Sequence, residues 1–539
     1  MKKNTPKKLL IALISIFSFN SFAQCPDGDV TLNSQEDIDQ FIIDYPNCTE
    51  ISGDLNIISF DAENLSGLEN ITSVANSLNI QNLFNIENFN DLNIQTVGEL
   101  VIKNISLTNL EGLNITTVSG DVTVENNNYL ISFEGLNLLT SIGGNLIIEN
   151  NDSILNFEGF DMLESIGGDF HFSFNEELYD TTGFDSLTTI SGELFPEGNP
   201  TLINLIFDSI ITIGSLRIDN SDLSIYDTYT HFNEDLTNIS FSNLEIVDNL
   251  FLYFKNDNVI GLNNTFSKLT TSEEINIRIA KQDFFYFEPV FPMIQNCKTL
   301  KIYNYHGQVS NFNEIENISD LENLYISGNF MFENLNSSSL KEISIQNNVS
   351  IENLTIENSG SLNKLTIENT EVLENLNISN TDNLYELKII ENDLLGSINI
   401  PNSDELTLIE IIDNPNLDLC SIDCDKISEL YHNYYNNDIF IENNGENCSI
   451  DSICLDIIIN VDEEELIEFS ILPNPASKEI TVVSNLNISK IEIFDITGKK
   501  IIQKFNTDQI NVQNLENGIY FIKIFDSRNN IITEKFVKE

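Results

Sequence analysis

From Leu340 to Asn414 the apolar side chains of this sequence fall into columns eleven residues apart, over seven consecutive units. The first column is Leu340, Ile351, Leu362, Leu373, Leu384, Leu395 and Leu406. Three residues on, the second is Ile343, Leu354, Leu365, Leu376, Leu387, Ile398 and Ile409; two further, the third is Ile345, Ile356, Ile367, Ile378, Ile389, Ile400 and Ile411. Two beyond that stand Asn347, Asn358, Asn369, Asn380, Glu391, Asn402 and Asp413. Side chains two apart share one face of a strand, so the residue between them points outward. Those residues, Ser344, Thr355, Thr366, Asn377, Lys388, Asn399 and Glu410, are all polar. Each unit therefore predicts a short strand, apolar inside and polar outside, ended by an Asn that tolerates the left-handed backbone of a bend. A helical coiled coil is the competing reading of an eleven-residue period; the uneven apolar spacing, the Ile and Thr content and the recurrent Asn favour strands.

Three buried aliphatic side chains cannot offset the backbone entropy of ordering eleven residues, so each unit must stack on its neighbours, and the block reads as a solenoid. Upstream, strands are predicted near Leu55, Leu78, Leu100, Val122, Leu146, Phe170, Leu194 and Leu216, in steps of 22 to 24 residues. That step is twice the later unit, which predicts two units per coil. Ser344, Thr366, Lys388 and Glu410 should then share one outer face, and Thr355, Asn377 and Asn399 the other. Ser34 to Ile43 predicts a short helix capped by Ser34, with Ile38, Phe41 and Ile42 as its apolar stripe. Such an element covers the exposed core at a solenoid end.

Within the early coils, Phe133-Glu134-Gly135-Leu136 is followed by Leu139, Ile142-Gly143-Gly144, Leu146 and Ile148. The pattern returns with Gly159-Phe160 and Ile166-Gly167-Gly168, and with Gly183-Phe184 and Ile190-Ser191-Gly192. On these Gly-Leu/Phe pairs, Ile-Gly-Gly bends and L-x-I strands, roughly Cys25 to Cys454 resembles the receptor L-domain family, a relative of leucine-rich repeats. The resemblance implies a right-handed parallel β-helix with short strands on several faces. It carries over no binding residue, because that family binds through an outer face without a fixed motif.

The chain divides accordingly into a signal peptide (1–23), an N-terminal cap (24–54), repeats of 22–24 residues (55–218), irregular repeats (219–339), the eleven-residue block (340–414), a cysteine-rich cap (415–454), an acidic linker (455–466) and a C-terminal domain (467–539). In the irregular part the strand pairs Leu250-Leu252, Ile275-Ile277, Leu300-Ile302 and Leu324-Ile326 persist. Its longer connections hold Tyr226, Tyr229, His231 and Phe232, then Phe284, Phe285, Tyr286, Phe287 and Phe291, with Tyr303, Tyr305 and His306 nearby. These rings either fill a widened core or form an aromatic platform for a sugar or peptide, since insertions in solenoids fall on loops and often on a binding face.

Past the linker, alternation and glycine turns predict an all-β sandwich, with strands at Glu479–Val483, Ile488–Asp495, Lys500–Phe505, Ile519–Asp526 and Ile532–Val537. Its opening Pro473-Asn474-Pro475-Ala476, the turn Asp495-Ile496-Thr497-Gly498-Lys499, the strand from Gly518-Ile519-Tyr520 and the final Lys535-Phe536-Val537-Lys538 resemble the type A C-terminal sorting domain of the type IX secretion system. The resemblance implies that the type IX machinery is a partner, exporting the chain through periplasm and outer membrane in the Bacteroidetes group.

The start of the chain agrees with export. Lys2, Lys3, Lys7 and Lys8 precede an apolar run, Leu9 to Phe19, too short to span a membrane, and Ser21-Phe22-Ala23 is a cleavage site of small-x-small type. Cleavage before Gln24 removes four lysines and takes the net charge from −59 to −63. No basic patch offsets it, which opposes binding to nucleic acid or to anionic membrane, so neither is expected as a partner. The acidity leaves room for weak divalent-cation binding, yet no EF-hand or glycine-rich calcium repeat is present, so no cofactor is expected. Seven cysteines in an exported chain read as disulfides with one left over. Cys25 and Cys48 flank the start of the repeats, and Cys420, Cys424, Cys448 and Cys454 follow their end. Cys25 is expected to pair with Cys48 and the late four among themselves, leaving Cys297 as a buried thiol. A zinc site in the late four is the alternative, against which their spacing and an oxidising compartment both argue.

Candidate catalytic chemistry changes little. The four histidines, His171, His231, His306 and His432, stand in no metal or nucleophile motif, and carboxylates are too abundant for any pair to be informative. His171 sits between Phe170 and Phe172 and faces outward if they face in. The sequence thus predicts a secreted or surface binding protein without catalytic residues, adhesin-like, whose solenoid meets an extracellular glycan or protein. A β-helical polysaccharide-processing enzyme and a structural surface-layer protein are the alternatives.

Overall fold

A computed structural model shows two compact units, Met1–Ile453 and Cys454–Glu539. It describes the chain except residues 1–24, 221–232, 234, 255–261, 263–264, 280–290, 305–309, 312–314, 316–317, 336–337, 358–359, 380–381, 400–404, 422–438, 450–468, 485–487 and 527–530. The first unit is a parallel β-solenoid. One apolar column runs in unbroken parallel register from Val30 through Leu55, Leu78, Leu100, Val122, Leu146, Phe170, Leu194, Leu216, Leu250, Ile275, Leu300, Leu324, Ile343, Leu365 and Leu387 to Ile409 and Ile439. All of its members up to Ile409 are at most 6% exposed. The rhythm that loosens after residue 218 therefore loosens only in the connections. The strands Thr212–Asn220, Ile246–Phe254, Thr271–Ile279 and Asn296–Asn304 keep their register.

The eleven-residue block forms coils of two units. Ser344, Thr366, Lys388 and Glu410 are successive rungs of the long sheet. Thr355, Asn377 and Asn399 are successive rungs of a second, five-stranded sheet. In the early coils this second wall is built differently from the several strand faces that the L-domain resemblance implies. It consists mainly of turns, still bonded from coil to coil, as by Leu110 N to Glu134 O, Phe133 N to Glu158 O and Phe157 N to Thr182 O. The cause is the glycine of each Gly-Leu/Phe pair. Gly135, Gly159 and Gly183 all have φ +118°, and a Cβ on Gly159 would lie 2.2 Å from the Phe133 carbonyl oxygen. Only glycine fits there, and no extended strand runs through it.

Behind this wall a spine of phenylalanines links the coils. Phe133 and Phe157 stack at 6.0 Å, Phe160 and Phe184 at 5.5 Å, and the series continues through Phe207, Phe241 and Phe266 to Phe291. Phe291 is thus a core residue.

The Asn column does what its residue type suggests on the long-sheet half of each coil. Asn347, Asn369, Glu391 and Asp413 all have φ between 51° and 58°, as do Asn82, Asn104 and Asn150. Asn358, Asn380 and Asn402 lie outside the described residues. The next residue carries a second ladder that the spacing does not announce. Asn127, Asn151, Asn175 and Asn199 are fully buried, and so are Asn392 and Asn414. Asn392 Nδ2 donates to the carbonyls of Ile367 and Ile390 and to Asn414 Oδ1, while its backbone N–H donates to that same oxygen. Asn151, Asn199 and Asn414 likewise bond a carbonyl of their own turn, and all six asparagines tie their coil to both neighbours. Asn392→Ala should cost about 1–3 kcal/mol by leaving buried carbonyls without donors. Glu391→Asn, at the adjacent left-handed position, should be neutral or slightly stabilising; urea unfolding of the two variants checks the contrast.

At the N-terminal end the helix Gln35–Asp44 is capped by Ser34, whose hydroxyl accepts from Asp37 N, and buries Ile38 and Phe41. A disulfide joins Cys25 to Cys48, and a second joins Cys420 to Cys448. Cys424 and Cys454 lie outside the described residues. Cys297 is a buried free thiol, and its pKa is pushed up to about 12 by burial.

The second unit packs two antiparallel sheets. One holds Phe469–Leu472, Glu479–Ser484 and Gln509–Asn511; the other holds Lys500–Phe505, Ile488–Phe494, Gly518–Asp526 and Ile531–Lys538. Ile480, Val482, Ile491, Ile493, Ile510, Val512, Ile522, Ile524 and Phe536 form the core. The sequence pattern misses the two shortest strands, which offer too few alternations to read.

Candidate functional site

The motif residues of the C-terminal domain are its fastenings. Asn474 Oδ1 accepts from Val537 N at 2.9 Å, Ala476 N donates to Val537 O at 2.7 Å, and Glu539 N donates to Ala476 O at 2.9 Å. Pro473 and Pro475, both preceded by cis peptide bonds, flank this clamp, and the Ala476 side chain is fully buried beneath it. The opening motif thus holds the last strand of the chain. Asp495 Oδ1 accepts from Thr497 N, Thr497 Oγ1 and Lys499 N, which shapes a turn completed by Gly498 at φ +83°. After Gly518, the Tyr520 ring stacks on Phe536 at 5.7 Å and its hydroxyl donates to Glu516 O.

On the solenoid, the outer face of the long sheet changes character midway. On most rungs the outward residues are polar. From Thr189–Glu197 to Asn323–Gly328 they become an alternation of rings and cations. Arg217 lies between Phe195 and Phe251, its guanidinium carbon 5.5 and 5.6 Å from the two ring centroids. In the adjacent column Arg278 lies between Tyr253 and Tyr303, 5.2 Å from each. Lys301 Nζ is 5.6 Å from the Tyr325 ring. Parallel register produces these sandwiches, because Arg217 pairs with Phe251, Tyr253 with Arg278, Arg278 with Tyr303, and Lys301 with Tyr325. The chain has three arginines, and two of them stand here.

Carboxylates complete the electrostatics. Glu193 holds Arg217 Nε at 3.1 Å and lies 3.7 Å from His171 Nε2. His171 does face outward, with Phe170 and Phe172 buried on either side. Its pKa is raised by Glu193, against the effect of burial and with help from Asp169, and that of Glu193 is lowered in return. Glu274 holds Lys301 at 2.9 Å. Burial raises the phenol pKa of both Tyr253 and Tyr325, and Glu342 adds to the shift at Tyr325. Both hydroxyls therefore stay protonated and remain donors at any physiological pH. Arg278 is exposed, whereas Tyr253, Tyr303 and Tyr325 are half-buried.

Of the aromatic residues singled out by sequence, Tyr303 belongs to this ladder. Tyr226, Tyr229, Phe284, Phe285, Tyr286, Phe287 and Tyr305 lie outside the described residues. Sequence reasoning missed Phe195, Arg217, Phe251, Tyr253, Arg278, Lys301 and Tyr325. The signal was present in Leu250-Phe251-Leu252-Tyr253, Ile275-Asn276-Ile277-Arg278 and Leu300-Lys301-Ile302-Tyr303, where the outward positions of an L-x-I strand are not small and polar. The same sheet has a shallow groove of ≈ 580 Å³ along its earlier coils, lined on one side by Ser73, Thr96, Thr117, Ser141 and Ser165 and on the other by Ala75, Gly98, Ser119, Gly143 and Gly167. Among the described residues no group of three or more His, Cys, Asp or Glu is placed to hold a metal ion, and no helix is long and apolar enough to cross a membrane.

Residues 470–539 match the family of secretion-system C-terminal sorting domains. No protein of curated function matches the chain. Among solved structures, the chain is similar to a circular leucine-rich-repeat protein, CroV588, over 78% of its own length and 79% of the other's, at 13% identity and a TM-score of 0.14. The sorting domain marks the chain for the type IX secretion machinery and for delivery to the cell surface or the medium.

Proposed function

We propose that this exported chain is a non-enzymatic, adhesin-like binding protein whose contact surface is the ring-and-cation ladder of the long sheet. The observation that carries the reading is the placement of Phe195, Arg217, Phe251, Tyr253, Arg278, Lys301, Tyr303 and Tyr325 on the outside of consecutive strands. Large rings and guanidinium groups there contribute nothing to the buried core, and aromatic and Arg side chains dominate the energetics of binding surfaces. Two of the carboxylates at the ladder, Glu193 and Glu274, are each engaged by a basic side chain, which supports binding over acid–base catalysis by them.

The full chain, applied to arrays of extracellular glycans and surface proteins, should bind a defined subset saturably. Replacing Tyr253 and Tyr303 together by Ser should weaken that binding without loss of the folded signal. Absence of any binder, or indifference to this double change, sinks the reading. Release of oligosaccharides from a panel of polysaccharides would replace it with the enzymatic alternative.

A further inference from the structure

We infer that the secretion machinery meets the sorting domain on the outer face of its four-stranded sheet, through a protein surface that is apolar at its centre and acidic at its rim. The inference is independent of the ladder on the solenoid and concerns export.

An antiparallel sheet commonly buries one face and turns polar side chains out from the other. This sheet is apolar on both. Its inner face supplies Ile491, Ile493, Ile522, Ile524 and Phe536 to the core. On the outer face the register sets Phe505, Lys490, Phe525 and Ile531 side by side across the four strands. A second row holds Lys500, Phe494, Phe521 and Lys535, and the pair Ile519 and Val537 extends the face at one end. Phe505, Phe521, Ile519 and Ile531 are all exposed. They add nothing to the core, and a contiguous exposed apolar face of this kind marks a contact with another protein.

The residues by which the family is recognised are not themselves that contact, because they are engaged within the domain. Asn474 and Ala476 bond the last strand, Asp495 shapes a turn, and Tyr520 stacks on Phe536. These fastenings instead present the outer face. The clamp fixes the strand Ile531–Lys538, whose Lys535 and Val537 point outward while Phe536 points in. Tyr520 fixes the strand Gly518–Asp526, from which Ile519, Phe521 and Lys523 point outward.

Charge gives the sign of the partner. Between the two rows stands Glu492, already held by Lys490 at 3.4 Å and Lys500 at 3.1 Å. Lys523 lies over the Phe494 ring and Lys535 stands opposite Phe521; neither holds a carboxylate among the described residues. Residues 470–539 carry a net charge of +1, whereas the 469 residues before them carry −60. A second copy of the chain would bring the same lysines to the face, with another acidic solenoid behind them, so self-association is opposed. An anionic lipid surface spreads its charge over the whole area that the attached acidic solenoid must approach. A protein can confine its carboxylates to a rim that meets Lys523 and Lys535 while its centre covers the rings. The match of residues 470–539 to secretion-system sorting domains supplies that protein: a component of the export machinery.

The test uses the full chain in its native host. A photoreactive phenylalanine analogue in place of Phe521 should crosslink to a component of the type IX machinery. The same analogue in place of Val483, exposed on the other sheet, should not. Phe521→Ser combined with Lys535→Glu should lower surface delivery about tenfold. Val483→Ser combined with Lys478→Glu makes an equal change in apolar surface and charge on the other sheet, and should stay within about twofold of the unaltered chain. Lys535→Arg, which keeps the charge, should be delivered normally. Thermal unfolding of the purified chains checks that the domain still folds. Should the Phe521 and Lys535 double variant not fold, Phe505→Ser, at the sheet edge, should still cut delivery several-fold. Normal delivery of the folded double variant, while delivery still depends on the tail, overturns the inference. So does an equal loss in the control pair, or a Phe521 position that crosslinks to lipid, to a second copy or to nothing.

Discussion

A chain ending before residue 470 should fold its solenoid, enter the periplasm and stay there. In the native host, surface-exposed or released protein should fall to background, and whole-cell protease treatment against cell fractionation reads the outcome. The expectation follows from the match of residues 470–539 to a sorting domain and from the separateness of that unit, which has its own two sheets and its own core. A smaller change should act through the same route. Asn474→Ala removes the side chain that accepts from Val537 N and loosens the clamp on the last strand, so export should drop while the solenoid remains intact. Normal surface delivery of the truncated chain would show that the tail is dispensable.

The largest effect on stability is expected at Leu365. This side chain is 0% exposed and stacks between Ile343 and Leu387 in the inner column. Leu365→Asp places a carboxylate among aliphatic groups, where nothing can pair with it. The loss should exceed about 4 kcal/mol, the range reserved for buried unpaired charges and large cavities. A solenoid is stabilised mainly between neighbouring coils, so the damage should be local at first. Hydrogen exchange should reveal the coils around residues 343–389 opening while the early coils stay protected. Thr366→Asp, one residue away, should change stability by only about 0.5 kcal/mol, because its side chain lies on the outer face between Ser344 and Lys388, where a carboxylate meets water and a lysine. Equal losses from the two variants would contradict the alternation of inner and outer positions.

Three apolar columns at a fixed period, two of them two residues apart, can be satisfied in a parallel stack only by strands whose alternate side chains point inward. Doubling of that period upstream then decides the two-unit coil. For this reason the solenoid, its capping helix, the outward His171 and the buried Cys297 could be read from the chain alone. The C-terminal domain was legible for another reason: its clamp and turns depend on particular residues, Asn474, Ala476, Asp495, Gly498 and Tyr520, whose identities are themselves the signal.

Tertiary structure decided whatever depends on partners in the next coil. Asn392 looks like one more turn residue until Asn414 arrives beneath it and the carbonyls of Ile367 and Ile390 close around its amide. Arg217 and Arg278 look like isolated surface cations, since the rings that hold them come from strands separated by long and unequal connections. Sequence periodicity is lost across such connections, but backbone hydrogen bonding is not, because each parallel strand must still satisfy its amides against the last. Local residue order thus determined that this chain forms coils with an inside and an outside. Only the register of the sheet, carried through irregular connections by those hydrogen bonds, determined which outward side chains stand together.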